Sequence, residues 1–472
     1  MKKTIFKIVT LLCIISIITC TMCSCSNNDV DGVWSEIVTY EPIDDGTSEE
    51  INNETSPSNS TDDKTSIIKN GKIEINKKNS SKIKIVASLS NEGYDQARLV
   101  QKVIRATTGA SIQLISDYEN SDGIEIIIGD TARNESQEIM KTISGTQYII
   151  KINNDGKIII AGTCLVALEN AVYTFLNQYF GYTYNQKEAG IATPIDIGKT
   201  IKADVLEEYK SNLVWGDEFD GKQIDTSKWD INPQMSSNAS LELRNDDTAY
   251  SISDGCIKLT SGRVNNEHYY TPESLTTQST MGFVYGYAEM RAKVPFGKPA
   301  WPSWWLLPST LGERKTYNYD VEIDIFEVFA TPDTMEPNLH KWYRDGSGDH
   351  DRLPTSKKTP LVFENEIEAE KWHTYGFLWT STSINLLVDG EVWQYLDITD
   401  NGDFGTRGDG MSGFHDPLFM IFNNYIYTKD YSGAETWAAG LSATPDDKFP
   451  IDYYIDYVRL YQKKGEGQLY LG

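Results

Sequence analysis

Cysteine is nearly missing from the body of this 472-residue chain: of six, only Cys164 and Cys256 lie beyond residue 25. They fall in different segments, which excludes a disulfide framework, and both are expected to be buried apolar residues. The five histidines and the cysteines show no metal-ligand spacing. Basic residues are in deficit. Lys+Arg 43 against Asp+Glu 68 gives a net charge of −25 and a pI of about 4.6. That excludes nucleic acid and anionic lipid surfaces as partners, since both require a basic face. Long hydrophobic runs are few. The run from Ile5 to Ile18 is too short for a comfortable membrane span, and no internal repeat shows.

At the N-terminus, Lys2 and Lys3 precede that apolar run, as in a secretion signal. Cys20, Cys23 and Cys25 follow, with Ser24 before Cys25 and a polar tail from Ser26. This resembles the lipobox of bacterial lipoproteins. The resemblance implies that residues 1–25 are a signal, that Cys25 is lipidated, and that the protein is extracellular on a bacterial surface, touching membrane only through the anchor. Cys20, after Ile17-Ile18-Thr19, is the rival acceptor, and free secretion the rival route. Residues 26–66 are acidic and polar with few aliphatics, and cannot bury enough surface to fold; they read as a disordered tether.

Residues 67–206 alternate strand-like runs, such as Ile83–Val86, Ile124–Ile128, Tyr148–Ile152 and Lys157–Ile160, with two helical faces. One carries Ala97, Val100, Val103 and Ile104; the other carries Leu165, Leu168, Val172, Phe175 and Tyr179 and ends at Gly181. A small α/β (α+β) domain is expected. Gly123-Ile-Glu-Ile-Ile-Ile-Gly-Asp130 and Asp155-Gly-Lys-Ile-Ile-Ile-Ala-Gly162 resemble the non-catalytic N-terminal domain of α-glucuronidases and hexosaminidases, which implies an accessory role. Residues 207–465 change texture to short alternating segments. Turn signals at Asp254-Gly255, Asp389-Gly390, Asn401-Gly402 and Asp409-Gly410 separate them, as suits one large β-sandwich.

Within that region Glu322-Ile-Asp324-Ile-Phe-Glu327 places three acids in a β-branched and aromatic run. In a regular strand 322 and 324 share a face and 327 points the other way. One β-bulge near Ile325 or Phe326 would bring 327 back, and bulges are frequent beside active sites. Aligned like charges cost a sheet roughly 0.2–1 kcal/mol per pair. Two carboxyl groups flanking a bond, one acid and one nucleophile, are what glycoside hydrolysis requires. Just upstream, Trp301-Pro-Ser-Trp304-Trp305 puts Trp301 and Trp305 on one face, where they could make a platform for successive sugar rings, and Trp304 on the other. Gly282–Arg291 reads as one strand and Asn338-Leu-His340-Lys-Trp342 as the segment after the acids.

These motifs occur in a series: Trp215-Gly-Asp-Glu218-Phe-Asp-Gly221, Tyr285-Gly-Tyr-Ala-Glu-Met-Arg291, Trp-Pro-x-x-Trp and Glu-Ile-Asp-Ile-Phe-Glu. His340, His373-Thr-Tyr-Gly-Phe-Leu-Trp379, Val388-Asp-Gly390 and Ile455-Asp-Tyr-Val-Arg-Leu-Tyr461 complete it. Over about 213–462 the series resembles glycoside hydrolase family 16, in its laminarinase-type branch. The resemblance implies an all-β jelly-roll sandwich (concanavalin-like) and retaining, internal cleavage of β-1,3- or mixed β-1,3/1,4-glucan. It implies Glu322 as nucleophile, Glu327 as general acid/base and Asp324 as their hydrogen-bonding neighbour. Trp301, Trp305, Asn423 and Arg244 would meet substrate, and His340 would orient the acids or touch substrate. Core packing is the other reading of the two tryptophans, a structural histidine that of His340 and a surface salt bridge that of Arg244. No cofactor is needed for catalysis; a structural calcium held by Glu218, the Gly255 carbonyl and Asp456 is implied, and a monomer is expected. Val321 stands where the family usually has Gly, and Asn423-Asn-Tyr-Ile-Tyr427 replaces Asn-x-Ala-x-Gly-Gly. Another β-glycan such as a galactan, transglycosylation, or a non-catalytic glycan-binding module therefore remain alternatives.

Overall fold

The computed structural model describes residues 67–472 apart from 90–92, 185–189, 316, 349, 400–410 and 433–437. Cys25, the lipobox and the 26–66 tether lie outside the described residues, as do the turns at 401–402 and 409–410.

Six isoleucine-rich strands form the sheet of the first folded part, in the order Gln113–Ser116, Ile83–Ala87, Ile124–Ile128, Ile158–Gly162, Gln147–Ile152, Thr200–Asp204. The first four run parallel, and Gln147–Ile152 is antiparallel to both its neighbours. Parallel strands need crossover segments, and the amphipathic helix Gly93–Thr108 provides the one between Ile83–Ala87 and Gln113–Ser116, while the helix Leu165–Phe180 follows Ile158–Gly162. The second helix stops at Gly181, whose φ of 58° lets its N–H close back on Asn177 and Leu176. Strands 113–116 and 200–204 are short and polar enough to have escaped the hydrophobic pattern.

The remainder is a sandwich of two ten-stranded sheets. One runs Asp230–Asn232, Ser274–Thr276, Leu418–Ile426, Ala300–Pro308, Tyr319–Glu327, Thr334–Tyr343, His350–Arg352 along its main path. The other is built round Cys256–Arg263, Ile451–Tyr461, Gly286–Lys293, His373–Trp379 and Ser383–Val388. Their facing surfaces enclose one continuous apolar core that includes Trp304, Phe326, Tyr375, Phe377, Trp379 and Phe422. The sandwich runs past residue 465, because Gln468–Leu471 pairs with Met281–Val284; that last strand carries none of the motifs that set the expected boundary.

Two sequence expectations change. Gly282–Arg291 is two strands rather than one, Met281–Val284 in the first sheet and Gly286–Lys293 in the second. The chain switches sheets at Tyr285 (φ 55°) and Gly286 (φ 136°), and a Cβ on Gly286 would stand 2.7 Å from the Tyr461 carbonyl oxygen. Cys164 and Cys256 are half-buried: the first precedes a helix and the second follows a tight turn.

The α/β part packs on the outer face of the second sheet. Tyr287, Leu378, Leu387 and Tyr461 of that face join its apolar core. Around them Lys210 pairs with the buried Glu289 at 2.8 Å, Tyr395 donates to Glu169 at 2.7 Å, and Tyr209 to Glu466 at 3.0 Å. The short helix Val205–Lys210 carries Tyr209 and Lys210, so the expected 206/207 boundary falls inside the element that joins the parts. Replacing Lys210 by Met keeps the packing but strips Glu289 of its cation. The expected loss is about 1–3 kcal/mol of unfolding free energy, read by chemical denaturation against wild type.

Candidate active site

The strand Tyr319–Glu327 lies between Ala300–Pro308 and Thr334–Tyr343, and its register is irregular toward both. Asp324 opposes Trp305 on one side and Asn338 on the other; Glu327 opposes Ser303 and Glu336. Three residue steps on the acid strand thus match two on each neighbour, which is a single-residue bulge at Ile325–Phe326. Both bulged side chains are fully buried, and Phe326 packs against Tyr375 of the opposite sheet at 5.0 Å. With 325 and 326 both turned inward, Glu322, Asp324 and Glu327 share the outward face. This is the irregularity the acid spacing demanded.

Two of the three acids, Glu322 and Glu327, have a hydrogen-bonding holder. Asp324 Oδ2 is buried without a hydrogen-bond partner among the described residues, so the expected hydrogen bond from Asp324 is not made. The Trp342 indole N–H donates to Glu322 Oε2 at 2.9 Å, and the Trp301 indole N–H to Glu327 Oε1 at 3.0 Å. His340 Nε2 stands 3.2 Å from Asp324 Oδ2 and 3.7 Å from Glu322 Oε1. Both tryptophans are themselves clamped. Trp342 stacks on His350 at 4.1 Å and on His340 at 5.3 Å, and the two imidazoles lie 5.5 Å from each other, so the three rings form one cluster. Trp301 lies flat on Tyr427 at 4.8 Å, with Tyr425 and Tyr431 edge-on at 5.6 Å.

Burial dominates the electrostatics. It raises Glu327 well above the usual carboxylate range, and the charges of Asp324 and Glu322 push the same way against the Trp301 N–H. Burial and then Asp324 bring Glu322 up to about 8, opposed by the Trp342 N–H among others. Asp324 is raised chiefly by burial. Burial also takes His340 down to about 4, so at neutral pH the imidazole is an uncharged neighbour rather than a counter-ion. The set contains a carboxyl that stays protonated, Glu327, on the same face as another that ionises at lower pH.

Trp301, Trp305, His340 and Asn423 all belong to this face; His340 stands beside the acids, and the other three make contacts of their own. One side of the Trp301 ring is covered by Tyr427, and its indole N–H orients Glu327. Asn423 is buried and accepts from the Trp305 indole at 2.6 Å while donating to Ser274 Oγ at 2.6 Å; it positions Trp305. Arg244 is not brought to the acids. It sits on the edge strand Leu241–Arg244 of the other sheet, paired with Glu242 and 4.3 Å over the Tyr270 ring, so the salt-bridge reading holds there.

The implied calcium ligands do not form an oxygen cage. Both carboxylate oxygens of Glu218 accept from Arg459 at 2.7 Å, and Asp456 Oδ2 is held by Arg291 at 2.5 Å. Calcium needs six to eight oxygens largely free of such partners, and this set does not fit it.

Trp342 and Tyr427 were missed as site residues. Trp342 had a readable signal, standing two residues after His340 and hence on its face. Tyr427 had none beyond its place in an unusual Asn-Asn-Tyr-Ile-Tyr stretch.

Residues 223–406 match the sequence model of Glycosyl hydrolases family 16. The chain is similar to Endo-1,3-1,4-beta-glycanase EglC of Rhizobium meliloti (strain 1021), 24% identical over 75% of this chain and 67% of that protein. Endo-1,3-1,4-beta-glycanase ExsH of the same organism is 27% identical over 51% and 44%, so the chain spans less than half of it. Beta-glucanase of Rhodothermus marinus is 28% identical over 53% and 85%.

The Trp342 bond favours ionised Glu322, so Trp342→Phe should raise the Glu322 midpoint further above about 8. Carboxyl-carbon NMR titration of wild type and variant checks this; an unchanged or lower midpoint contradicts the assignment.

Proposed function

Residues 223–406 carry a glycosyl hydrolase family 16 domain, and on that premise we propose that the protein is a retaining, endo-acting glycosidase of β-1,3- or mixed β-1,3/1,4-glucan. The observation that carries the reading is the bulge at Ile325–Phe326, which sets Glu322 and Glu327 on one face with Asp324 between them.

In the first step the ionised Glu322 carboxylate attacks the anomeric carbon. The bond to the leaving sugar oxygen breaks, and that oxygen takes the proton of Glu327. The product is a glycosyl ester on Glu322 and a Glu327 carboxylate. Neutralising Glu322 removes one of the charges that raise the Glu327 pKa, so Glu327, having given up its proton, stays ionised and is available as the base of the next step. In the second step Glu327 takes a proton from water, whose oxygen attacks the anomeric carbon and releases Glu322. The Trp342 indole N–H keeps Glu322 aligned through both steps, with Asp324 and the neutral His340 beside it.

A second reading, a galactan or other β-glycan as substrate, is favoured by one observation: the buried Tyr427 lies stacked on Trp301, at a position where the family resemblance has glycine. Incubation with laminarin, lichenan, agarose and xyloglucan, followed by product analysis, separates the readings. New longer chains would favour transglycosylation, and no change in any polymer would favour a binding module.

Glu322→Gln and Glu327→Gln should each remove at least roughly a thousandfold of polysaccharide turnover with folding intact. Azide should rescue Glu322→Gly with inversion at the anomeric carbon; a retained product would reverse the assigned roles.

For location, the lipobox-like Ser24-Cys25 supports a lipid-anchored protein outside a bacterial cell, reached through a signal at residues 1–25. Metabolic labelling with a radioactive fatty acid should mark wild type and not Cys25→Ala; label persisting in the variant would point to Cys20.

A further inference from the structure

Beyond the acids, a hydrogen-bonded track crosses the outward face of the same sheet, one strand at a time. Trp305 neighbours Asp324, and its indole N–H donates to Asn423 on the next strand. Asn423 donates to Ser274 Oγ on the strand after that, and the same oxygen accepts from the Gln234 backbone N–H at 3.3 Å. The track ends in three amides. Gln234 Nε2 donates to Gln278 Oε1 at 3.0 Å, and Asn232 Nδ2 approaches the same oxygen at 3.4 Å. All three side chains are half-buried.

The two amide N–H groups converging on Gln278 Oε1 fix its orientation. Both N–H groups of Gln278 Nε2, the second N–H of Gln234 and of Asn232, and the carbonyl oxygens of Gln234 and Asn232 then remain as four donors and two acceptors. That inventory suits vicinal sugar hydroxyls, each of which both donates and accepts. It carries no charge, so it has no preference for sulfated or uronate rings.

We propose that Asn232, Gln234 and Gln278 form an outer subsite for an uncharged hexose of the same glycan chain that reaches the acids. The spacing supports it. Four strand steps separate Tyr319–Glu327 from Asp230–Asn232, about 19 Å at ~4.8 Å per step. A β-linked hexose is close to one strand spacing in length, so the triad serves a ring about four units from the cleaved bond. Ser274 and Asn423 are building parts of the track, buried and turned to their neighbours; the triad is its exposed end.

This subsite rests on the glycosidase reading, and the test keeps the two apart. Oligosaccharides of about three and about eight units are cut from whichever of laminarin, lichenan or agarose the wild type degrades. The ratio of kcat/KM, long over short, is measured for wild type, Gln278→Ala and Gln234→Ala. Each variant should lower that ratio roughly fivefold, the worth of about one hydrogen bond, chiefly through KM of the long substrate. A ratio equal to wild type in both variants overturns the subsite while leaving the glycosidase intact. A wild type that degrades none of the polymers overturns both. Because the triad lies at the surface, equal far-ultraviolet circular dichroism of the variants is expected, and the ratio cancels any general loss of active protein.

Discussion

Everything in the site depends on one extra residue in one strand. Without the bulge, the alternation of the acid strand would send Glu327 into the apolar layer and Phe326 out to solvent. The fold secures the opposite outcome by burying both Ile325 and Phe326, the latter against Tyr375 of the facing sheet. Removing a buried phenylalanine side chain typically costs about 3–5 kcal/mol, more than the repulsion of the like charges aligned outside, at roughly 0.2–1 kcal/mol per pair. Core packing therefore decides where the acids stand, and the electrostatic cost is tolerated.

The choice of indoles as holders follows from the same crowding. A lysine or arginine beside Glu327 would orient the carboxyl but pull its pKa down, leaving no proton to give. An indole N–H donates one hydrogen bond and brings no charge. Trp342 and Trp301 thus orient the carboxyls while burial keeps their pKa values high. The aromatic neighbours that clamp each indole, His340 and His350 at one end and Tyr427 at the other, extend this rigidity outward from the acids.

The α/β part takes the other side of the sandwich. By covering Tyr287, Leu378, Leu387 and Tyr461 on the second sheet, it leaves the acid face and the amide track uncovered. With a buried Glu289 satisfied across the junction, the two parts share an interface with apolar and polar components and no direct claim on the acids.

Much of this was legible in the residues. The acids at 322, 324 and 327 are one residue out of phase, and only a bulge can reconcile them with a common face. Likewise Trp301, Trp304 and Trp305 separate by parity into outward, inward and outward positions, as found. Parity is local, so a linear chain records it. What the chain could not record were contacts between strands distant in sequence: that Tyr427 covers Trp301, that Arg459 and Arg291 occupy the supposed calcium ligands, and that Arg244 lies on the other sheet. Those depend on sheet order and register, which bring residues more than a hundred positions apart within hydrogen-bond distance. The amino-acid pattern by itself determined the chemistry available on the acid strand; the tertiary structure alone decided which partners would orient it, because side-chain direction is a property of one strand and contact is a property of several.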